Sequence, residues 1–77
     1  SHRRQREAAI LRSLDEGPLT VTVIAERVYR DTPQHLLPAA SRNVFAHLID
    51  LRQQNRVAAL GKTGMNALFE KTDPPPE

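Results

Sequence analysis

Between His2 and Glu16 the apolar positions Ala8 and Leu11, and Ala9, Ile10 and Leu14, recur three and four residues apart among strong helix formers, the period of a single helix face. The spacing predicts a first helix over residues 2–16. It stops at Gly17-Pro18, since glycine is favoured just past a helix end and proline cannot continue one. Thr20 is placed as an N-cap, and Val21, Ile24, Ala25 and Val28 follow at i, i+3, i+4 and i+7, so a short second helix is predicted to end near Tyr29. Leu19 and Thr20, just ahead of it, are extended enough to join a sheet edge. Arg30 to Leu37 carries Asp31, Pro33 and Gln34 and reads as a loop; Pro38 then suits the first position of a third helix, where its missing N–H costs nothing.

The third helix is predicted to run to about Asn55. Past it, Arg56 to Leu60 and Met65 to Lys71 are two short strand-like runs joined by Gly61-Lys62-Thr63-Gly64, whose paired glycines allow a tight reversal. Asp73-Pro74-Pro75-Pro76-Glu77 can form neither helix nor central strand, so 73–77 is read as a disordered proline-rich tail. The result over 1–72 is one mainly α domain with a small β-hairpin: three helices and a wing, the element order of a winged helix-turn-helix. A plain three-helix bundle is the alternative if the last segment fails to pair.

Third helices of helix-turn-helix proteins enter the major groove and keep a polar, usually basic, face outward. Here Leu51, Val44, Leu48, Phe45 and Ile49 cover roughly 20° to 180° of the circumference at ~100° per residue, counted from Ala40. A single core side needs an arc of about 100°, and Phe45 and Ile49 exceed it. Either they cap the hairpin and the C-terminal strand, or they form an interface with another domain. The polar remainder, with Arg42, Asn43, Asp50 and Gln53 around Ala46, holds one cation against one carboxylate.

Charge adds a second asymmetry. The formal net charge is +2, yet up to residue 12 Arg3, Arg4, Arg6 and Arg12 stand against Glu7 alone. Arg3, Arg4 and Arg6 near a helix N-terminus oppose the macrodipole. They make sense as a solvated basic face, as a helix continuing upstream, or as contacts to an acidic surface or to nucleic-acid phosphates. A domain that binds nucleic acid usually spreads its cations over the face that meets the phosphates. This chain gathers them at one end.

The chain has no cysteine, which removes disulfides, thiolate metal sites and cysteine nucleophiles and suits a reducing cytoplasm. No apolar run approaches the ~20 residues that cross a bilayer, so a cytoplasmic location without a membrane partner is expected. His2, His35 and His47 fall in three different elements, none at the i, i+4 spacing of a zinc pair. His47 flanks the apolar stripe as a core-edge histidine donating to a backbone carbonyl. Gly61-Lys62-Thr63 lacks the upstream glycine of a phosphate-binding loop, Arg56 standing there instead, and sits between strands. Ser13 and Ser41 have no histidine and carboxylate at a recognisable spacing. Asp15-Glu16 read as exposed residues at a helix end, and so short a chain leaves little room for a substrate cleft. The chain alone is therefore read as no enzyme, with no catalytic, cofactor or metal residue.

Taken together, His2-Arg3, Arg6-Glu7, Ile10-Leu11, Leu14, Glu16-Gly17-Pro18-Leu19-Thr20, Val28-Tyr29, Leu37-Pro38-Ala39-Ala40, Ala46-His47-Leu48, Leu51 and Arg56-Val57 resemble the winged-helix domain that follows a metallo-β-lactamase fold. The likeness covers residues 2–60 as a spread pattern, and the hairpin beyond Leu60 matches poorly. It implies a parent hydrolase of esters, thioesters or phosphodiesters, whose preceding domain binds zinc through a His-x-His-x-Asp-His motif. None of those ligands lies in this chain. Some mitochondrial relatives resemble single-strand-specific endoribonucleases, and in that family the appended module packs beside the catalytic domain and shapes access to its site. The reading is a non-catalytic accessory domain, with Phe45 and Ile49 toward the partner domain and Arg3, Arg4 and Arg6 toward substrate, RNA being the nucleic acid favoured over duplex DNA. A stand-alone DNA-binding regulator and a pure protein-interaction module are the alternatives.

Overall fold

The computed structural model describes residues 2–62, 64 and 66–72. Along the chain run α1 (His2–Ser13), β1 (Leu19–Thr20), α2 (Val21–Val28), a 3₁₀ turn (Gln34–Leu36), α3 (Leu37–Gln53), β2 (Val57–Leu60) and β3 (Leu68–Lys71). The strands form one antiparallel sheet in the order β1-β3-β2. Three helices against such a sheet make a winged helix, as the apolar spacing implies. The proposed tail at 73–77, and Thr63 and Met65 in the wing, lie outside the described residues.

Helix ends depart from the sequence reading, each for a local reason. α1 stops at Ser13 rather than Glu16. Beyond it the amides of Leu14, Asp15 and Gly17 reach back three residues, to Leu11, Arg12 and Leu14 at 3.1, 3.1 and 3.2 Å, so the chain tightens into 3₁₀ turns. Gly17 then takes φ 139°, open to glycine and strained for other residues. α2 begins as its cap requires: Thr20 is extended, at φ −77° and ψ 162°, and its hydroxyl accepts from the Val23 amide at 3.4 Å. Thr20 thus closes a strand and opens a helix in one residue. The loop after Tyr29 contains the 3₁₀ turn, which runs straight into α3, so that helix starts at Leu37, one residue before Pro38.

α3 ends at Gln53, not Asn55. Asn55 adopts φ 61° while its amide reaches Arg52 and that of Arg56 reaches Leu51, at 3.0 and 2.9 Å. This is a Schellman closure with asparagine in the left-handed position usually filled by glycine. The strands are shorter than the apolar runs suggest. β2 starts at Val57, not Arg56, and β3 at Leu68, so residues 61–67 separate them in place of a four-residue reversal.

The core is a single cluster. α1 contributes Ile10 and Leu11, with Leu14 just past its end; α2 contributes Val21, Ile24 and Ala25; α3 contributes Ala40, Val44, Leu48 and Leu51; the sheet side contributes Val57, Ala67 and Phe69. Ala8, by contrast, is exposed, so the stripe on α1 is narrower than its apolar content. Phe69 is the largest fully buried side chain. It sits on the central strand, opposite Leu19 of β1 and Ala59 of β2.

Truncating Phe69 to alanine deletes a buried ring, a change that costs about 3–5 kcal/mol, comparable with the whole stability of about 5 kcal/mol at the low end for small domains. The Phe69→Ala chain is expected to be mostly unfolded at 25 °C by circular dichroism. Phe69→Leu should fold, with a lowered Tm.

Candidate interaction surface

Of the two residues that widen the apolar arc of α3, Phe45 turns inward. It is half-buried and meets Phe69 edge-on, ring centroids 6.4 Å apart at 72°, a favourable arrangement of ring quadrupoles. This is the capping role open to it from the sequence. Ile49, one turn on, is half-buried and is not among the side chains packed on the core cluster. With exposed Ala46 and Arg42 it forms an outward strip on α3.

That strip carries the Arg42 cation, and the carboxylate beside it is paired from across the domain. Asp50, its one carboxylate, pairs with Arg3 of α1. Arg3 also lies 3.6 Å from Glu7 one helical turn later, and Glu7 lies 3.4 Å from His47 Nδ1. The side chains of Glu7 and His47 are only 14% and 12% exposed, those of Arg3 and Asp50 62% and 42%. The chain Asp50–Arg3–Glu7–His47 therefore ties the start of α1 to α3, with its inner half screened from water. His47 is the core-edge histidine foreseen, but its partner is the Glu7 carboxylate and not a backbone carbonyl. No sequence periodicity could supply that pairing, because the partners are 40 positions apart.

The three N-terminal arginines thus have three different surroundings. Arg3 is engaged by acids of its own domain. Arg6 lies over the Tyr29 ring, 4.6 Å from its centroid, a cation–π contact, and the Tyr29 hydroxyl beneath is buried without a hydrogen-bond partner among the described residues. Arg4 lines a groove of about 510 Å³ with Glu7, Arg12, Asp15, Arg56 and Lys71. Asp15 is exposed just past the end of the first helix, as expected, and pairs there with Lys71. A groove of this volume also exceeds what so short a chain was expected to offer, although it is an open surface feature.

Ser13 Oγ donates to the Ile10 carbonyl at 2.6 Å, and Ser41 is buried in the first half of α3. Among the described residues no three His, Asp or Glu side chains are placed to hold a metal ion. Among the same residues no helix is long and apolar enough to cross a membrane.

A small winged helix whose third helix presents a part-apolar outer side, its carboxylate paired with the first helix, is the class of domain these features define. The chain belongs to the beta-lactamase associated winged helix domain family, which it matches over residues 20–64. It is also 37% identical over 60 residues to the beta-lactamase-like protein 2 homolog of Drosophila melanogaster, an alignment taking in 74% of this chain and 20% of that protein. The chain thus spans about one fifth of the length of that relative.

The two halves of the α1–α3 network should respond differently to substitution. Asp50→Ala removes an exposed ion pair worth about 0–1 kcal/mol, and its effect should fade in ~1 M salt. Glu7→Ala strips the partner from a part-buried imidazole and should cost about 1–3 kcal/mol, largely independent of salt. Urea titrations at low and high salt distinguish the two.

Proposed function

We propose that this domain is the non-catalytic accessory module of a metallo-β-lactamase-fold hydrolase, packing against the preceding zinc-binding domain of its parent chain and shaping access to that domain's site. The observation that carries the reading is the outer strip of α3. Half-buried Ile49 and exposed Ala46 are not among the side chains packed on the core cluster, and Asp50 beside them is paired with Arg3. Such a surface buries against another protein face at low electrostatic cost, since charge is depleted at the centre of protein interfaces. It is poorly suited to the phosphate walls of a DNA major groove, where a recognition helix presents cations and base-reading side chains. Family membership supports the same assignment. The zinc and the hydrolytic chemistry would be supplied upstream, with no step passing through residues of this chain.

The test is Ile49→Glu made in the full parent protein and in this chain alone. In the isolated chain a half-exposed substitution is expected to cost about 0.5–1 kcal/mol. In the parent, the charge buried at the domain junction should split unfolding into two transitions and expose the junction to limited proteolysis. A parent that melts unchanged, or one with no histidine-rich zinc motif upstream, would overturn the reading.

A further inference from the structure

The acids engaged in long-range pairs, Glu7, Asp15 and Asp50, serve the junctions of α1 with α3 and β3. The junction of α1 with α2 is different. A groove of about 410 Å³ runs there over a floor that includes Ala9 and Val28, and Arg12, Arg27 and Arg30 line it without any carboxylate. None of these three arginines forms an ion pair with a described residue. Two of them lie in the last turns of α1 and α2, where the helix dipole favours a cation. The fold can therefore gather three guanidinium groups in one place without a balancing acid.

Through the shared Ala9 and Val28 the groove continues into a second cleft of about 290 Å³, where Arg6 lies over Tyr29. The geometry makes two linked compartments. One is a set of planar forks suited to bidentate phosphate contacts; the other presents an exposed guanidinium plane of the kind on which bases stack. Arg6 and Arg12 are six residues apart on one helix, which at ~1.5 Å rise per residue separates them by about 9 Å along its axis. A base and the second phosphate of a nucleotide are separated by a similar span. Arg12 also lines the groove that holds Arg4, Arg56 and Lys71, but there Glu7 and Asp15 interleave with the cations; the acid-free cluster is confined to the α1–α2 junction, so a compact ligand fits better than a nucleic-acid strand tracking over the surface.

We propose that the α1–α2 groove is a binding site for a nucleoside di- or triphosphate, with the phosphates on Arg12, Arg27 and Arg30 and the base on the Arg6–Tyr29 stack. No residue of α3 lines either cleft, so the site is independent of the domain-packing reading. Without a lining carboxylate to help hold Mg²⁺, the ligand is taken as the free anion.

Isothermal titration of the 77-residue chain with ADP, AMP, inorganic pyrophosphate and a short oligo(U) strand tests this. ADP should bind more tightly than AMP or pyrophosphate, and excess Mg²⁺ should weaken it. Arg12→Ala/Arg27→Ala/Arg30→Ala should lose at least about tenfold in affinity, about 1.4 kcal/mol. Arg42→Ala/Arg52→Ala/Arg56→Ala, an equal change of charge at exposed positions outside the groove, should stay within about twofold, as expected where no phosphate contact is lost. Arg6→Lys, which keeps charge and removes the plane, should lower affinity for ADP but not for pyrophosphate. The proposal is overturned if ADP fails to bind, if AMP matches ADP, if both triple variants lose alike, or if oligo(U) binds more tightly than ADP and is the ligand the groove variant loses.

Discussion

Among the described residues Phe69 stands on the one strand that has neighbours on both sides, and the remaining architecture is arranged around its ring. Its backbone is paired to β1 and β2, and its side chain reaches the helical layer, where Phe45 closes over it edge-on. A domain of this length buries a modest fraction of its surface and has little redundancy in its core. One aromatic joining sheet to helices does work that larger domains distribute over many contacts. The wing is held through the strand carrying this residue, and α3 is fixed in roll partly by the ring on its flank.

Once α3 is fixed, its outer side follows. Val44, Leu48 and Leu51 face inward, which leaves Arg42, Ala46, Ile49 and Asp50 toward the surface. Arg3 then sets the electrostatic character of that side from another helix. The same helix that opposes its own macrodipole with three early arginines places one on an acid of α3 and another on a ring of the α2 end. The unfavourable end charges are thereby used as fasteners between elements.

The helices were legible because their apolar residues recur at the period of the secondary structure that buries them. α2 is the clearest case: Thr20 as cap and Val21, Ile24 and Ala25 as core are adjacent facts in the sequence and in space. The wing was legible as a hairpin but not in its lengths, since apolar Met65 and Ala67 extend the run past the point where pairing begins at Leu68. Asn55 was read as helix because asparagine in the left-handed region has no signature comparable with glycine. The Phe45 and Ile49 pair was recognised as excess apolar arc, but choosing between an inward and an outward role required knowing where Phe69 lies. The ion pairs were not legible at all. Arg3 and Asp50 are 47 positions apart, and nothing local marks them as partners.

The dual duty of Thr20 carries a consequence for how this domain can vary in length. A residue that is both the last member of a strand and the cap of the next helix leaves no slack between them, so an inserted residue there would shift Leu19 out of register with Phe69 or turn the stripe of α2 by about 100°. The connection between Leu60 and Leu68 sits beyond the last paired rung and imposes neither constraint. Length variation in this fold is therefore channelled into the wing tip, while the passage from β1 to α2 behaves as a fixed joint.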